Sequence, residues 1–531
     1  MNPKSLTLLL IVSTMLPLFL LACSSEDSND AESSGAQDTL IFARGGDAVS
    51  LDPSEVTDNE SENVAQSILE TLTTFAEGET VVEPMLATEW TESEDGLTYT
   101  FTLHEGVKFH DGTDFNADAV AFNFTRWMNG GGDKFPMYGT VFGGYQGDEA
   151  HNIASVTAVD ESTVEINLNN PQPTLLKDLA LTPLSISSPA AIEESGDDYR
   201  SNPVGTGPFI FQEWQPNERI VLEKNDDYRI DGLPKLQQVI FRTIPDNSSR
   251  LNALLSGEVD LITGLDSESY SQVEEDPELE LFSRPPLNLG YLGMTLTHEP
   301  FDDPLVRQAL SHAVNKEAMV EAFFGEGAIP AKNVIPPAVE GYNDDIEPYA
   351  YDPEKAKELL AEAGLPDGFE MELYAMPVSR PYMPDGAKVA EYLQSNFAAI
   401  GVEAEIVTFE WATYIEKAIN GEADTFLLGW TGMNGDADNF IYTLLHGDNV
   451  GSTNSTQYDN PELNAILDEA RTITDQEARN ELYREAQVIL HEDPPIIPLV
   501  HTSPSLAGKE NITGFDPHPT GRVITTEIEF E

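Results

Sequence analysis

The chain is poor in thiols and in positive charge. Its 531 residues hold one cysteine, Cys23. A lone cysteine excludes an intramolecular disulfide and a multi-cysteine metal site. Lysine and arginine number 27 against 93 acidic residues, a formal net charge of -66. That balance argues against nucleic acid and anionic membrane surfaces as partners. The acids are spread along the whole chain, the pattern of a heavily solvated surface suited to salty surroundings, where screening damps self-repulsion. Catalytic signatures are missing too. There is no Gly-x-Ser-x-Gly and no His-Glu-x-x-His; His104 and His110 have the wrong spacing for zinc on one helix face, and His491-Glu492 has no second histidine. Asn434, Asp436 and Asp438 start like a calcium loop, but the glycine at position six and the distal glutamate are absent. Gly205-Thr206-Gly207-Pro208 has no following Lys-Ser/Thr, and Pro208 removes a donor, so a phosphate loop is rejected. Neither an enzyme nor a resident cofactor or metal is expected.

What is present begins at the N-terminus. Lys4 precedes an apolar run from Leu6 to Ala22 that is short for a membrane span and is broken by Ser13, Thr14 and Pro17. It ends in Leu20-Leu21-Ala22-Cys23, the lipobox pattern of bacterial lipoprotein signals. Residues 1–22 therefore read as a signal peptide, with cleavage before Cys23 and lipidation of its sulfur. Residues 23–37 are polar and acidic, and read as a flexible tether. The rest, 40% hydrophobic and 9% aromatic over the whole chain, is globular and long enough for two or three domains. The expectation is an extracytoplasmic body anchored to a membrane through Cys23.

Along the body, strands are expected at 39–43 and 99–103, and a helix at 63–72. Asn116 caps a helix from Ala117 to about Met128. Further strands are expected at 239–244 and 259–262, and the chain crosses to a second region around Leu287 to Thr295. There Pro304 and Pro353 sit at first helical positions. Strands at 369–375, 402–408 and 425–430 alternate with helices at 387–399 and 414–420, the signature of an α/β layer. Two loops follow strands of that layer. One carries Arg380 among Pro377, Pro381 and Pro384, which stiffen it. A guanidinium fork held this way suits a carboxylate, or else makes an ordinary surface ion pair. The other runs from Gly429 and Trp430 to Phe440, offering an indole, glycine backbone and acids. Both lie where open α/β sheets bind ligands, and together they suit a zwitterion.

The chain resembles the dipeptide-binding proteins of bacterial ABC importers, within the peptide, nickel and opine solute-binding family. The resemblance covers nearly all of residues 38–531. It is carried by Leu86-Ala87-Thr88-Glu89-Trp90, Glu94 to Phe101, Gly106 to Gly112, Asn202 to Phe209, Val306 to Leu310 and the two loops. It implies a two-lobed periplasmic-binding-protein fold of type II, cluster C. Lobe I would take 38–285 plus 505–531, with an extra subdomain at about 75–190, and lobe II would take 286–504. It also implies lobes that close on a short peptide and deliver it to a membrane permease driven by an ATPase, with a monomer as the family expectation.

By the same resemblance Arg380 matches the arginine that takes the peptide carboxylate, and Tyr382, Trp411, Trp430 and Gly432 fall at or beside the cleft. Trp411 and Trp430 read equally well as core. Arg307 belongs to a family motif but reads as structural. The family's ammonium-binding aspartate is replaced by Met433. Asp436 or Asp438 would then have to reach the ammonium, or the ligand is a peptide-like carboxylate such as glutathione, or it has no amine at that point. A haem or nickel-complex ligand, a chemoreceptor sensor and a secreted hydrolase are the remaining alternatives.

Overall fold

A computed structural model describes residues 38–131, 134–265, 267–325 and 327–531. The signal peptide, Cys23 and the tether lie outside the described residues. Among those that are described, no helix is long and apolar enough to cross a membrane.

Three main sheets organise the chain. The first has seven strands in the order Leu279–Ser283, Ser505–Lys509, Leu261–Ile262, Thr39–Arg44, Gln238–Thr243, Arg219–Lys224, Phe209–Gln215. Its interior strand, Thr39–Arg44, pairs in parallel with Gln238–Thr243 and buries Leu40 and Phe42 completely. A four-stranded antiparallel sheet is built from Ala87–Glu92, Thr98–Leu103, Thr163–Leu168 and Ile153–Ala158. The alternation read at Tyr99, Phe101 and Leu103 puts all three on its buried face. They pack against the helix Ala117–Met128, which Asn116 caps by accepting from the Ala119 N–H at 3.0 Å.

The third sheet runs Ile329–Pro330, Ile496–His501, Asn288–Met294, Thr425–Thr431, Glu370–Tyr374, Glu403–Val407. Asn288–Met294 is antiparallel to both neighbours, whereas Glu370–Tyr374 is parallel to both of its own. Helices Pro304–Ala313 and Gly386–Ala398 share its core. Pro304 does occupy the first turn, and the carboxylate of Asp303 accepts from the Leu305 N–H.

The main chain passes between the first and third sheets at two places, 284–287 and 502–504. The crossings are tied together. Asn288 donates its side-chain amide to the Thr502 carbonyl at 2.9 Å and accepts from the Thr502 N–H at 2.9 Å. The Arg284 N–H donates to the Pro504 carbonyl at 3.2 Å. The two crossings therefore run side by side, bonded to each other.

One element departs from its expected register. The helix read at 63–72 is Asn59–Ile68. Asp58 starts it by capping the Ser61 N–H, and Glu70 is drawn off by Ile186, whose N–H donates to the Glu70 carbonyl at 2.8 Å.

Candidate functional site

The turn that presents Arg380 is fastened at several points. The N–H of Arg380 donates to the Met383 carbonyl at 3.1 Å, and the Met383 N–H returns a bond to the Arg380 carbonyl at 2.9 Å. Met383 is fully buried and anchors the turn in the core. The Thr502 hydroxyl donates to the Pro381 carbonyl at 3.1 Å, tying the turn to the second crossing. Tyr382 lies flat against the sheet: a Cβ at Gly429 would overlap its ring, and a Cβ at Gly290 would meet its carbonyl. Those two glycines make the seat for the tyrosine. Asp385 then caps the helix Gly386–Ala398 by accepting from the Lys388 N–H at 3.1 Å.

The guanidinium that results donates to the Ser379 carbonyl at 3.4 Å and has no acid partner among the described residues. Arg380 is exposed, and among the described residues no carboxylate lies within ion-pair distance of it. It sits 5.3 Å from the centroid of the Trp411 ring, a cation–π contact. Trp411 is half-buried and stacks on Tyr414, with centroids 5.8 Å apart and planes at 16°. The Tyr414 hydroxyl lies 3.0 Å from the Tyr374 carbonyl and 2.6 Å from that of Leu427, so the stack rests on two strands. Trp411 is thus packed on Tyr414 and in contact with Arg380.

The second loop is organised by a residue that sequence reasoning passed over. The Asn439 side-chain oxygen accepts from Trp430 Nε1 at 3.2 Å and from the Met433 N–H at 3.1 Å. The Gly432 N–H donates to the Leu287 carbonyl at 2.8 Å, and a Cβ there would overlap Phe440. Trp430 and Met433, both half-buried, line a cavity of about 780 Å³ with Asp178, Asp438, Asn439 and Arg471. Arg380 lines a second cavity of about 770 Å³. Trp430, Met433 and Arg380 thus line two separate cavities, and the Tyr382 ring lies against Gly429 at the start of the second loop.

Asp436 stands apart from them. It is 2% exposed, and its carboxylate accepts from Arg479 Nη1 at 3.0 Å and Nη2 at 2.9 Å, a bidentate pair. Lys177 Nζ is 3.6 Å away. Burial alone would raise this carboxyl, but Arg479 and Lys177 outweigh it and hold it down to about 2. This carboxylate is spoken for, which corrects the expectation that it reaches a ligand ammonium. Asp438, less enclosed, has a carboxyl pushed up to about 6 by burial and by the charges of Asp436 and Asp178, against Arg471.

Lys177 comes from the region of the four-stranded sheet, yet it also meets Glu340 at 2.8 Å and the Gly435 carbonyl at 3.3 Å. Beside it, Asn434 donates to Asp178 at 2.9 Å. Thr80 fits against Gly435, whose φ of +66° and lack of a Cβ both favour glycine. Thr80, Lys177 and Asp178 thus hold the loop 433–436 from the region of the four-stranded sheet. No cluster of three or more His, Cys, Asp or Glu able to hold a metal occurs among the described residues. Arg307, 2% exposed, pairs with Asp493 and donates from Nε to the Pro494 carbonyl at 3.1 Å, a structural role.

A mixed α/β protein whose two large sheets are joined by two adjacent crossings has the architecture of the two-lobed binding proteins. The model of the bacterial extracellular solute-binding proteins, family 5 Middle, matches residues 81–452, and the chain belongs to that family. It is 37% identical over 511 residues to a dipeptide-binding protein of Escherichia coli, covering 93% of this chain and 95% of that one. It is 35% identical over 537 residues to heme-binding protein A of Haemophilus influenzae, covering 97% of both. A glutathione-binding protein of Salmonella typhimurium is 35% identical over 485 residues, 90% of this chain and 91% of the relative. Among solved structures, a periplasmic binding protein of Helicobacter pylori in complex with the peptide STSA superposes with a TM-score of 0.73 at 34% identity, covering 93% and 98%. The chain is a solute-binding protein acting outside the cytoplasm.

Proposed function

We propose that this protein captures short peptides or peptide-like carboxylates between two closing lobes and hands them to the permease and ATPase of an ABC importer. The single observation behind this is Arg380: a rigidly mounted, exposed guanidinium without a carboxylate partner, in a chain where acids outnumber bases 93 to 27. So unusual a cation is explained by a ligand carboxylate that docks on it while Trp411 and Tyr382 flank the chain. Closure then follows from a ligand bridging both lobes, which favours the closed state by its differential affinity. We place lobe I at 38–285 plus 505–531 and lobe II at 286–504, and we infer lipidation of Cys23 and a monomeric body.

Met433 shapes the ligand choice. A buried ammonium without a carboxylate partner is costly. With Asp436 engaged by Arg479, the acids lining the Met433 cavity are Asp178, Asp438 and Asp468. Glutathione, whose amine sits on a γ-linked arm, is the second reading, supported by Met433 itself; haem is a third, resting on a relative's name.

The test is a thermal-shift panel of α-linked dipeptides, tripeptides, glutathione, C-amidated controls and haem. A ligand at 100 times its dissociation constant stabilises by about 2.7 kcal/mol. Shifts with free peptides or glutathione and none with amidated controls support the proposal. A shift with haem alone overturns it.

A further inference from the structure

The cavity beside Arg380 carries a second arginine with no partner. Arg284 opens the first crossing, Arg284-Pro285-Pro286-Leu287, and lines the same space of about 770 Å³. Its Nε is buried without a hydrogen-bond partner. No carboxylate lies within ion-pair distance of it among the described residues. Burial lowers its pKa to about 10, with no neighbouring acid to oppose the shift. A cation desolvated in this way costs free energy unless something compensates it.

The lining of this cavity reverses the sign of the chain. Its described residues include Arg284, Arg380 and Lys388, against one carboxylate, Asp385, which already meets Lys388 at 3.1 Å. In a protein of net charge -66, a pocket with surplus positive charge is set up to hold anions that the surface repels. Both arginines hang from the same crossing: the Arg284 N–H bonds the Pro504 carbonyl and the Thr502 hydroxyl bonds the Pro381 carbonyl. Those anchor points are two residues apart, roughly 7 Å of extended chain. Two arginines that line one cavity from separate backbone anchors suit two carboxylates rather than one carboxylate shared.

We propose that Arg284 and Arg380 form a paired anion site at the crossings, so that the preferred ligand is a peptide-like molecule carrying two carboxylates. This rests on the peptide reading above and narrows it. Arg380 takes the carboxylate every free peptide has; Arg284 selects for a second one, on an acidic side chain or a γ-linked arm.

Calorimetric titration of the purified protein with Ala-Glu, Ala-Gln, glutathione and glutarate tests it. Ala-Glu and Ala-Gln are nearly isosteric and differ by the one charge. Ala-Glu should bind at least tenfold tighter than Ala-Gln, Arg284→Gln should erase that difference while leaving Ala-Gln unchanged, and Arg284→Lys should retain part of it. Equal affinities in the native protein, or an equal loss of both ligands in Arg284→Gln, overturn the inference. If no peptide binds, the peptide reading has failed and glutarate decides: Arg284-dependent binding upholds the anion pair, and its absence refutes it. Without ligand, Arg284→Gln should melt no lower than the native protein, since it removes a half-buried cation without an acid partner; a lower melting temperature makes the guanidinium structural and also refutes the site.

Discussion

The fate of Asp436 separates scaffold from ligand site, and its ion pair allows a worked prediction. Asp436 and Arg479 are 2% and 1% exposed and bonded at 2.9 and 3.0 Å. Coulomb attraction at that distance is about 5 kcal/mol at an effective dielectric of about 20. Removing one partner of a buried pair typically costs about 3–5 kcal/mol, because the other charge is left desolvated. Arg479→Met leaves Lys177 3.6 Å from the carboxylate as a partial substitute, which puts the loss near the lower end, about 3 kcal/mol. Asp436→Asn strands Arg479, which keeps the Ala470 carbonyl at 3.0 Å, so a similar loss is expected. The double variant should lose less than the two single losses added, with a coupling of about 2 kcal/mol. The sign with pH is fixed by the lowered carboxyl: its stabilisation is fully present above the unfolded value of about 3.9 and is lost as pH falls toward about 2. Urea unfolding at fixed salt, followed by tryptophan fluorescence, measures these losses without screening the pair. Asp436→Asn within about 0.5 kcal/mol of the native protein, together with a collapse in ligand affinity, would refute the reasoning and return Asp436 to the ligand.

Three further outcomes are expected. Gly429→Ala should displace the Tyr382 ring that lies against it and weaken ligand binding at least tenfold while touching no ligand; calorimetry at unchanged secondary structure checks this. Asp438→Asn should remove a pH dependence: the folded carboxyl, raised to about 6, binds its proton more tightly than the unfolded one, so the native protein loses stability as pH rises from about 4 through 6, and the variant, compared at each pH by thermal unfolding, does not show this component. Met433→Asp should improve binding of α-linked dipeptides with a free ammonium; no gain in titration means that the amine is held elsewhere or is absent.

Much of the scaffold was legible because its signals are local. Asn116 before an apolar-periodic run gave the helix Ala117–Met128, and Asp352-Pro353 gave Pro353–Glu362, whose cap accepts from the Lys355 N–H. The Arg380 turn was readable because three prolines stiffen a cation within an acidic chain. The misplaced helix near residue 63 shows the limit. Its apolar stripe continues into Leu69 and Leu72, but the backbone at Glu70 is claimed by Ile186, more than a hundred residues away in the chain. The loop expected from Gly429 to Phe440 runs into the start of the helix Asp438–Leu445, because that start has no side-chain cap and follows Gly and Asp residues that signal a turn. Asp436 looked available for a ligand because Arg479 and Lys177 converge on its carboxylate only through tertiary structure. Asn439 left one signal, an amide within reach of Trp430 along a helix start, and Arg284 left another, a basic residue beside two prolines at the crossing. Neither becomes specific until the fold shows what each one meets.

The central claim is that Arg380 holds a ligand carboxylate. The most direct measurement is calorimetric titration of the native protein and Arg380→Ala with one peptide, or glutathione, in its free-acid and C-amidated forms. The account predicts that the free acid loses at least about 2 kcal/mol of binding in Arg380→Ala, roughly thirtyfold, and that the amide binds the native protein about as weakly. Equal affinity of the native protein for free and amidated ligand would contradict it.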